Sequence, residues 1–249
     1  MTRTWDAAAY DRLSAPQLEW AKVVLERLPL RGDETVLDAG CGSGRVTQLL
    51  LDRLPRGHVV GVDSSESMVE HAREALDPER TTVFQAELAE LELDEPVDAA
   101  FSNAVFHWIP DHDALFAHLH AALRPGALLV AQCGGEGNVA RLHAVAREVS
   151  ARAPYAEHLA NWTGPWHFAG AEETAERLER AGFAEIDTWL EPHPVTPDDP
   201  LAFLTTVCLG PQLQRLPEEL RTGFAEAVCD RAGPELDYVR LNMDAKKPS

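Results

Sequence analysis

Lysine is scarce in this chain of 249 residues, and acidic side chains far outnumber basic ones. The 41 Asp and Glu residues exceed the 22 Lys and Arg residues, which gives a formal net charge of −19. Such a negative field repels a phosphate backbone, and the sequence contains no dense Lys/Arg cluster that would offset it locally. The composition therefore argues against nucleic acid as a partner and against an enzyme that modifies it.

Cysteine pairs, long apolar runs and metal-binding spacings are lacking as well. The four cysteines form no C-x-x-C pair, and a chain of this size does not need disulfides to fold. No apolar stretch reaches the ~18 residues that span a bilayer, and the N-terminus has no apolar signal-peptide core. Of the ten histidines, His118 and His120 are two apart on a predicted helix, so their side chains diverge. These absences predict a cytoplasmic protein with free thiols, no membrane contact and no metal.

What the sequence does contain, from residue 34 onward, is an alternation of strand and helix patterns. The predicted strands cover residues 35–38, 58–62, 82–86, 98–102, 127–132, 185–190 and 239–243. The predicted helices between them cover residues 44–54, 65–76, 112–123, 139–151 and 171–181. Such alternation is typical of a parallel sheet with helices on both faces. The expected fold class is α/β, a Rossmann-like, doubly wound, seven-stranded sheet that is mostly parallel.

The last predicted strand has a pattern of its own. Val239, Leu241 and Met243 alternate with polar residues, among them Arg240 and Asn242. This period of two predicts a half-buried, antiparallel last strand with Arg240 on its polar face.

We expect a single domain over residues 1–249. Residues 1–30 are predicted to form N-terminal helices that act as a lid, and residues 34–133 to form the ligand-binding core. Residues 137–170 and 193–232 interrupt the alternation, so we expect them to form a helical cap. That cap would lie over the carboxyl edge of the sheet, where α/β proteins bind ligands.

Two helix starts are predicted from their capping residues. Ser14, with Gln17 three residues later, has the spacing of a capping box before an apolar helical pattern. Thr196 is followed by Pro197 and Asp199, which predicts a helix capped by Thr196.

A glycine-rich turn follows the first predicted strand, with the sequence Asp38-Ala39-Gly40-Cys41-Gly42-Ser43-Gly44. Glycines at alternate positions let the backbone bend sharply and let a ligand approach it closely. The spacing is G-x-G-x-G and not the dinucleotide pattern G-x-G-x-x-G. Asp38 is a poor neighbour for a pyrophosphate and, by the sign of its charge, a good one for an ammonium or sulfonium group.

Asp63 ends the second predicted strand, where a carboxylate can accept hydrogen bonds from both hydroxyls of a ribose. Nicotinamide enzymes place an acidic residue at the same point, and Asp63 could instead cap the helix that follows. The residues alone therefore leave a nicotinamide oxidoreductase open as an alternative.

Four segments together resemble those of the class I S-adenosylmethionine-dependent methyltransferases. They are Asp38–Gly44, Asp63, Ala86-Glu87-Leu88 and Ser102-Asn103, and residues 34–133 resemble the methyltransferase domain of that family. The resemblance implies S-adenosylmethionine as the cofactor and S-adenosylhomocysteine as its product. It implies cofactor contacts from Asp38, Gly40, Gly42, Gly44, Asp63, Ser64, Met68, Glu87, Leu88 and Asn103.

The resemblance also implies a role for each segment. The glycine turn would support the methionine part and Asp63 the ribose, while Met68 would cover a face of the adenine. Glu87 would accept from the adenine amino group, with the backbone of Leu88 on the ring; family members usually carry the shorter Asp at this position. Asn103 would hold the cofactor's amino group through its carbonyl oxygen.

Residues 101–112 resemble a narrower subgroup, which includes trans-aconitate methyltransferase and the methyltransferase of a malonyl carrier-protein thioester. The match extends to Trp5 and Tyr10, to residues 134–138 and to residues 165–168. It implies a small-molecule acceptor, with O-methylation of a carboxylate or hydroxyl by direct in-line displacement. C- or N-methylation of a small metabolite and a non-catalytic cofactor-binding module remain alternatives.

Several residues are candidates for the substrate side. His107 could act as a base near neutral pH or contact the substrate, or it could be structural. Arg240 could bind a substrate carboxylate with two hydrogen bonds, although a surface salt bridge is the favoured interpretation. The candidate substrate contacts are Tyr10, Gln17, Trp108, Trp166 and Arg240. The oligomeric state is left open.

Overall fold

The computed structural model describes residues 15–249, with side chains from residue 18 onward. Trp5, Tyr10 and Ser14 lie outside the described residues, as does the side chain of Gln17. The capping box and the substrate contacts of Tyr10 and Gln17 therefore stay predictions.

Seven strands form a single sheet, as predicted. They are β1 (Thr35–Ala39), β2 (His58–Asp63), β3 (Thr81–Gln85), β4 (Val97–Asn103), β5 (Leu123–Gly134), β6 (Ala184–Pro192) and β7 (Val239–Lys246). Their order is β3-β2-β1-β4-β5-β7-β6. The first five strands pair in parallel, whereas β7 is antiparallel to both β5 and β6. The expected fold class, including the antiparallel last strand, is confirmed.

Helices cover both faces of this sheet. They are α1 (Ala15–Glu26), α2 (Arg45–Arg53), α3 (Glu66–Ala75), α4 (His112–Ala122), α5 (Ala140–Ser150), α6 (Ala156–Leu159), α7 (Ala171–Arg180), α8 (Pro200–Phe203), α9 (Gly210–Arg215) and α10 (Glu218–Ala232). One apolar core lies between α1, α2, α3 and the sheet, and a second lies between α4, α7 and the opposite face. Most side chains of β1 and β4 are buried on both faces of the sheet, which fits the apolar stretches 36–37 and 99–101.

The segments that interrupt the strand–helix alternation form a third apolar cluster. It contains Leu142 of α5, Phe203 of α8 and Phe224 of α10, and Trp20 of α1 packs into it. A π-helical turn at Leu204–Cys208 joins α8 to the helices that follow. The lid and cap functions of these segments stay predictions.

Two elements begin well away from their predicted starts. Asp199 caps α8, because its carboxylate accepts the backbone N–H of Ala202 at 3.0 Å. The assignment of this cap to Thr196 was wrong, since an Asp directly before Pro200 is the stronger start signal. Strand β5 begins at Leu123, four residues earlier than expected, and a register shift against β4 accommodates the Pro-Gly pair.

The last strand is not half exposed. β7 lies between β5 and β6, and its polar side chains Arg240 and Asn242 are 2% and 1% exposed. Residues of α1 and of the segment after it cover this face, since Trp20 lies over Arg240 and Arg27 donates to Asn242. The favoured interpretation of Arg240 as a surface salt bridge was therefore wrong. Alternation predicted which way these side chains point, but not what covers them.

Across residues 15–249, no helix combines the length and the apolar composition needed to cross a bilayer. The same residues contain no group of three His, Cys, Asp or Glu side chains that could hold a metal ion. All four cysteines are free thiols.

Candidate functional site

A cavity of about 410 Å³ opens at the carboxyl ends of β1, β2 and β4. β1 and β4 are neighbours from which the chain winds in opposite directions, and α/β proteins bind ligands at such a switch point. The cavity walls include the predicted cofactor residues Asp38, Gly40, Gly42, Asp63, Ser64, Met68, Glu87, Leu88 and Asn103. They also include the predicted substrate-side residues His107, Trp108, Trp166 and Arg240.

The three glycines of the turn differ in what surrounds them. Gly40 has a φ of 90°, and a Cβ there would overlap the side chain of Val105. Gly42 has a φ of 54°, and a Cβ there would meet no atom within 4 Å, so its backbone faces open space in the cavity. Gly44 does not line the cavity; a Cβ on it would press against Leu76 and α3. Of the three glycines, Gly40 and Gly42 line the cavity, and the predicted cofactor contacts of all three stay predictions.

Asp63 joins the glycine turn to the start of α3. One carboxylate oxygen accepts the backbone N–H of Gly42 at 3.0 Å, and the other accepts that of Ser65 at 2.9 Å. The capping role and the ligand role are therefore compatible, because each carboxylate oxygen can accept a second hydrogen bond. Burial raises the pKa of Asp63, although both backbone N–H groups oppose this shift.

Asp38 is 2% exposed and accepts a hydrogen bond of 2.7 Å from the hydroxyl of Thr47. Burial, with a smaller contribution from the negative charge of Asp63, raises the pKa of Asp38 to about 7. A cation next to these two carboxylates would favour their ionised forms. This end of the cavity therefore selects a positively charged group.

An apolar slot continues from Asp63 along the ends of β2 and β3. Met68 and Leu88 are 5% and 4% exposed and both line it. Glu87 is exposed at its rim. A flat ring fits such a slot, with polar groups available only at the edge.

These features fit the S-adenosylmethionine that the sequence resemblance implies. Open space at Gly42 admits a close approach to the backbone, the carboxylates of Asp38 and Asp63 match a cationic group and a ribose, and the slot at Met68 matches an adenine. The contact roles themselves remain predictions.

His107 lies in the 3-10 turn Phe106–Trp108 that follows β4 and is 8% exposed. Its Nδ1 accepts the backbone N–H of Gly134 at 3.2 Å, and its ring stacks on Phe168 with 5.7 Å between centroids. A neutral imidazole that accepts at Nδ1 carries its proton on Nε2, so Nε2 donates. This tautomer disfavours His107 as a general base and favours it as a hydrogen-bond donor.

Aromatic rings form one wall of the cavity. Trp166 lies 6.0 Å from Trp108, 4.5 Å from His143 and 6.4 Å from Phe168, measured between ring centroids. Burial lowers the pKa of His143 to about 4, so this ring is neutral at physiological pH and a weak proton acceptor. The wall is therefore uncharged and mostly apolar.

Arg240 lies at the same edge of the sheet because β7 runs antiparallel. Its position near the start of β7 pairs with Gly134 at the end of β5. The guanidinium Nε donates to the side-chain carbonyl of Gln132 at 3.1 Å, and the guanidinium carbon lies 4.5 Å from the centroid of the Trp20 ring. A buried positive charge is thus placed in the wall of a cavity whose other end is acidic.

Two residues of the cavity wall hold strained backbone. Ala104 and Val139 have φ values of 63° and 44° without being glycine. Such conformations are sparsely populated, above all for a β-branched residue, and cluster at functional sites.

Sequence reasoning missed several wall residues. They are Leu18, Asn138, His143, Cys208 and Tyr238. They come from segments far apart in the chain, and each looks like an ordinary core or loop residue in its own segment. The one local signal was Asn138, which closes the glycine-rich run after β5.

Comparison with known proteins finds similar sequences over most of this chain. A family model described as a methyltransferase domain matches residues 36–126. The chain is 33% identical to the trans-aconitate 2-methyltransferase of Variovorax paradoxus, covering 92% of this chain and 90% of that protein. It is 32% identical to the enzyme of the same name from Methylobacterium radiotolerans, covering 98% and 99% respectively. Among solved structures, an S-adenosylmethionine-dependent methyltransferase from Mesorhizobium loti matches with a TM-score of 0.57 and 25% identity, covering 92% of this chain and 98% of that one.

Proposed function

Because the chain belongs to the S-adenosylmethionine-dependent methyltransferases, in the group of the trans-aconitate 2-methyltransferases, we propose that it methylates a carboxylate oxygen of a small polycarboxylic acid. The observation that carries the proposal is the buried guanidinium of Arg240 in the wall of the cavity that also contains the glycine turn. A guanidinium binds a carboxylate with two parallel hydrogen bonds, and burial strengthens the pairing.

The cofactor end of the site is assigned to the acidic residues. Bound there, S-adenosylmethionine would supply a methyl group on its sulfonium for transfer to the nucleophile of the substrate. Asp63 would bind the ribose hydroxyls, and Asp38 would bind the cationic amino group. The backbone at Gly42 would lie against the cofactor, because no side chain fills that space.

The walls favour a nucleophile that is already ionised. A carboxylic acid has lost its proton at pH 7 and needs no base. A phenol, an amine or a carbon acid would need one, yet His107 accepts the Gly134 N–H at Nδ1 and His143 has a pKa lowered to about 4. His107 would instead contact the acceptor without removing a proton from it.

Catalysis in this proposal comes from alignment and from exclusion of water. Well-oriented reactants gain on the order of 7–11 kcal/mol from proximity in favourable cases. Trp166 and Phe168 form the apolar wall, and Leu18 of α1 and Val207 cover the cavity from other segments. A site closed in this way keeps bulk water from the methyl group.

The proposal is tested with methyl-labelled S-adenosylmethionine and four acceptors, which are trans-aconitate, crotonate, catechol and ethanolamine. We expect label on trans-aconitate, in a product that mild base hydrolyses to methanol, because an ester has formed. Label on catechol, on ethanolamine or in a base-stable product would contradict carboxylate methylation while leaving the enzyme family unchanged.

The role of Arg240 is tested with Arg240→Leu. We expect the KM for trans-aconitate to rise about 100-fold, since a charge-assisted pair contributes roughly 1.5–3 kcal/mol. The affinity for S-adenosylhomocysteine should stay within about twofold, because Asp38 and Asp63 are unchanged. An unaltered KM would remove Arg240 from the substrate site.

A further inference from the structure

A continuous row of hydrogen-bonded polar side chains crosses β5 and β7 beneath α1. Arg240 donates to Gln132 at 3.1 Å, and Gln132 donates from its amide nitrogen to the Oδ1 of Asn242 at 2.9 Å. The same Oδ1 accepts from Arg27 at 2.6 Å, and the amide nitrogen of Asn242 donates to Glu191 at 3.3 Å. We call these five residues the polar row.

The direction of each hydrogen bond in the polar row is determined by the charged residues at its ends. Arg27 can only donate, so Asn242 must present its oxygen to it. The nitrogen of Asn242 then faces the Glu191 carboxylate, and Gln132 must present its own nitrogen to Asn242. The carbonyl oxygen of Gln132 is therefore left for the guanidinium of Arg240.

Gln132 acts on Arg240 without lining the cavity. It is 2% exposed and is absent from the cavity walls, whereas Arg240 is part of them. A hydrogen bond to a charged group at such a depth is stronger than one at the surface, because the surroundings are weakly polarisable. Gln132 accepts from the Nε of Arg240, so that this N–H is not available to a substrate carboxylate.

The polar row also connects Arg240 to α1. Arg27 follows the last turn of α1, and its guanidinium also donates to the backbone oxygen of Ala131, next to Gln132. Trp20 of the same helix lies over the guanidinium of Arg240 at 4.5 Å. The guanidinium is thus held in its plane by Gln132 and on its face by Trp20.

We infer that Gln132 is a positioning residue, which orients the Arg240 guanidinium for the substrate carboxylate and so sets the preference of the enzyme for acids. The inference rests on the proposed function, because it assumes that Arg240 binds the substrate. It assigns a specificity role to a side chain that touches neither substrate nor cofactor.

The central test is Gln132→Met, which keeps the length of the side chain and removes its hydrogen-bonding groups. We expect the KM for trans-aconitate to rise about tenfold, as for a lost hydrogen bond to a charged group. The kcat and the KM for S-adenosylmethionine should change by less than about twofold, because Gln132 is not in the cavity walls.

A second variant, Gln132→Glu, separates positioning from packing. Its carboxylate would pair with Arg240 and neutralise the charge that the substrate needs. We expect the KM for trans-aconitate to rise further than in Gln132→Met, while affinity for S-adenosylhomocysteine is retained. Thr188→Val is the control. Thr188 lies on the neighbouring strand β6, and its hydroxyl donates a part-buried hydrogen bond to the backbone oxygen of Ala171, outside the polar row.

An unchanged KM for trans-aconitate in Gln132→Met would overturn the inference. The inference would also be overturned if Gln132→Met lost kcat, cofactor affinity and thermal stability together, because such a loss indicates a structural role only. If the wild-type enzyme methylates no acid, the proposed function fails instead. In that case the orienting role is tested by the NMR signal of the Arg240 Nε–H, which is assigned by its loss in Arg240→Lys. A signal that Gln132→Met leaves unchanged would refute the orienting role.

Discussion

Two almost fully buried ionisable side chains of opposite sign, Asp38 and Arg240, line the same cavity, and each is 2% exposed. Each is held by a neutral partner, the Thr47 hydroxyl for Asp38 and the Gln132 amide for Arg240. Such partners orient a charge without cancelling it. The cavity can therefore bind a cationic group at the glycine turn and an anionic group at β7.

The raised pKa of Asp38 makes cofactor binding depend on pH. At a pKa of about 7 the carboxyl group is half protonated near neutrality, and only the ionised form attracts a cation. We expect the affinity for S-adenosylhomocysteine, which carries an ammonium group, to increase as the pH rises from 6 to 8. Calorimetric titration of the wild type and of Asp38→Asn measures this, and the variant should lose the dependence.

The raised pKa of Asp38 also makes the stability of the ligand-free protein depend on pH, but in the opposite direction: stability falls as the pH rises. The pKa of Asp38 is 3.8 in its ordinary state and about 7 when folded, so the folded state holds the proton more tightly. Its contribution to the free energy of unfolding is full below about pH 4 and declines as the pH rises towards 7. Asp52→Asn is the control, because Asp52 is an exposed residue of α2. This variant should keep the pH dependence of cofactor affinity and that of stability.

His107 is expected to contribute to the rate without creating a pH dependence. Loss of the side chain in His107→Ala should lower kcat by about tenfold, the effect of one contact made more strongly in the transition state. The pH profile between 6 and 9 should keep its shape, because no proton is removed from a carboxylate acceptor. If the rate of the wild type falls at acidic pH and that of the variant does not, His107 acts as a general base.

At the scale of elements, the turn after β1 and the start of β7 determine what reaches the site. The turn brings backbone to the cavity at Gly42 and packs against Val105 at Gly40. The antiparallel direction of β7 places Arg240 opposite Gly134, at the edge where the parallel strands end. A parallel strand with the same residues would place its first residues at the other edge of the sheet.

The two glycines are expected to separate stability from binding. Gly40→Ala should lower the free energy of unfolding by roughly 2–4 kcal/mol, because the new Cβ overlaps Val105 at a φ of 90°. Gly42→Ala should lower the free energy of unfolding by only about 1 kcal/mol, through backbone strain. It should weaken the binding of S-adenosylhomocysteine by at least about tenfold. Urea unfolding and calorimetric titration measure the two effects.

Gly233→Ala is a control for Gly42→Ala that adds backbone strain away from the cavity, since a φ of 76° with a ψ of 173° is almost confined to glycine. Gly233 also has a positive φ, of 76°, and a Cβ there would likewise meet nothing within 4 Å. It ends α10 and does not line the cavity. Equal loss of cofactor affinity in both variants would show that Gly42 acts through backbone strain and not through contact.

At the scale of the whole molecule, the net charge of −19 would oppose the approach of the polycarboxylate substrate that we propose. A small polycarboxylate carries two or three negative charges, and long-range repulsion lowers its concentration near the cavity. Screening shortens the reach of that repulsion to about 8 Å at physiological ionic strength.

Added salt is therefore expected to help a polyanionic substrate. We expect kcat/KM for trans-aconitate to rise roughly fivefold between 10 and 150 mM NaCl, since screening weakens the repulsion. Crotonate, with a single negative charge, serves as the control and should respond less if it is accepted. A fall of kcat/KM with salt would mean that attraction by Arg240 outweighs the net charge of the molecule.

Local pattern and spacing predicted most of the fold and the cofactor end of the site. Strands and helices alternate from residue 34 to residue 133, and the glycine turn, Asp63 and Glu87 each lie at or just after the end of a strand. Residues that follow parallel strands share an edge of the sheet, so sequence order alone brings them together. The start of α8 was misassigned because Thr196 and Asp199 both carry capping side chains, and only geometry distinguishes them.

The sequence by itself determined the α/β class, the antiparallel last strand and the glycine turn with its acidic partners, because each depends on periodicity or spacing within a few residues. Only the tertiary structure decided that Arg240 is buried, that His107 accepts at Nδ1 and that Gln132 accepts a hydrogen bond from the guanidinium. These facts depend on contacts between residues as far apart as Gln132 and Arg240. Such contacts exist only once α1 has covered the sheet, and no local pattern encodes what covers a polar face.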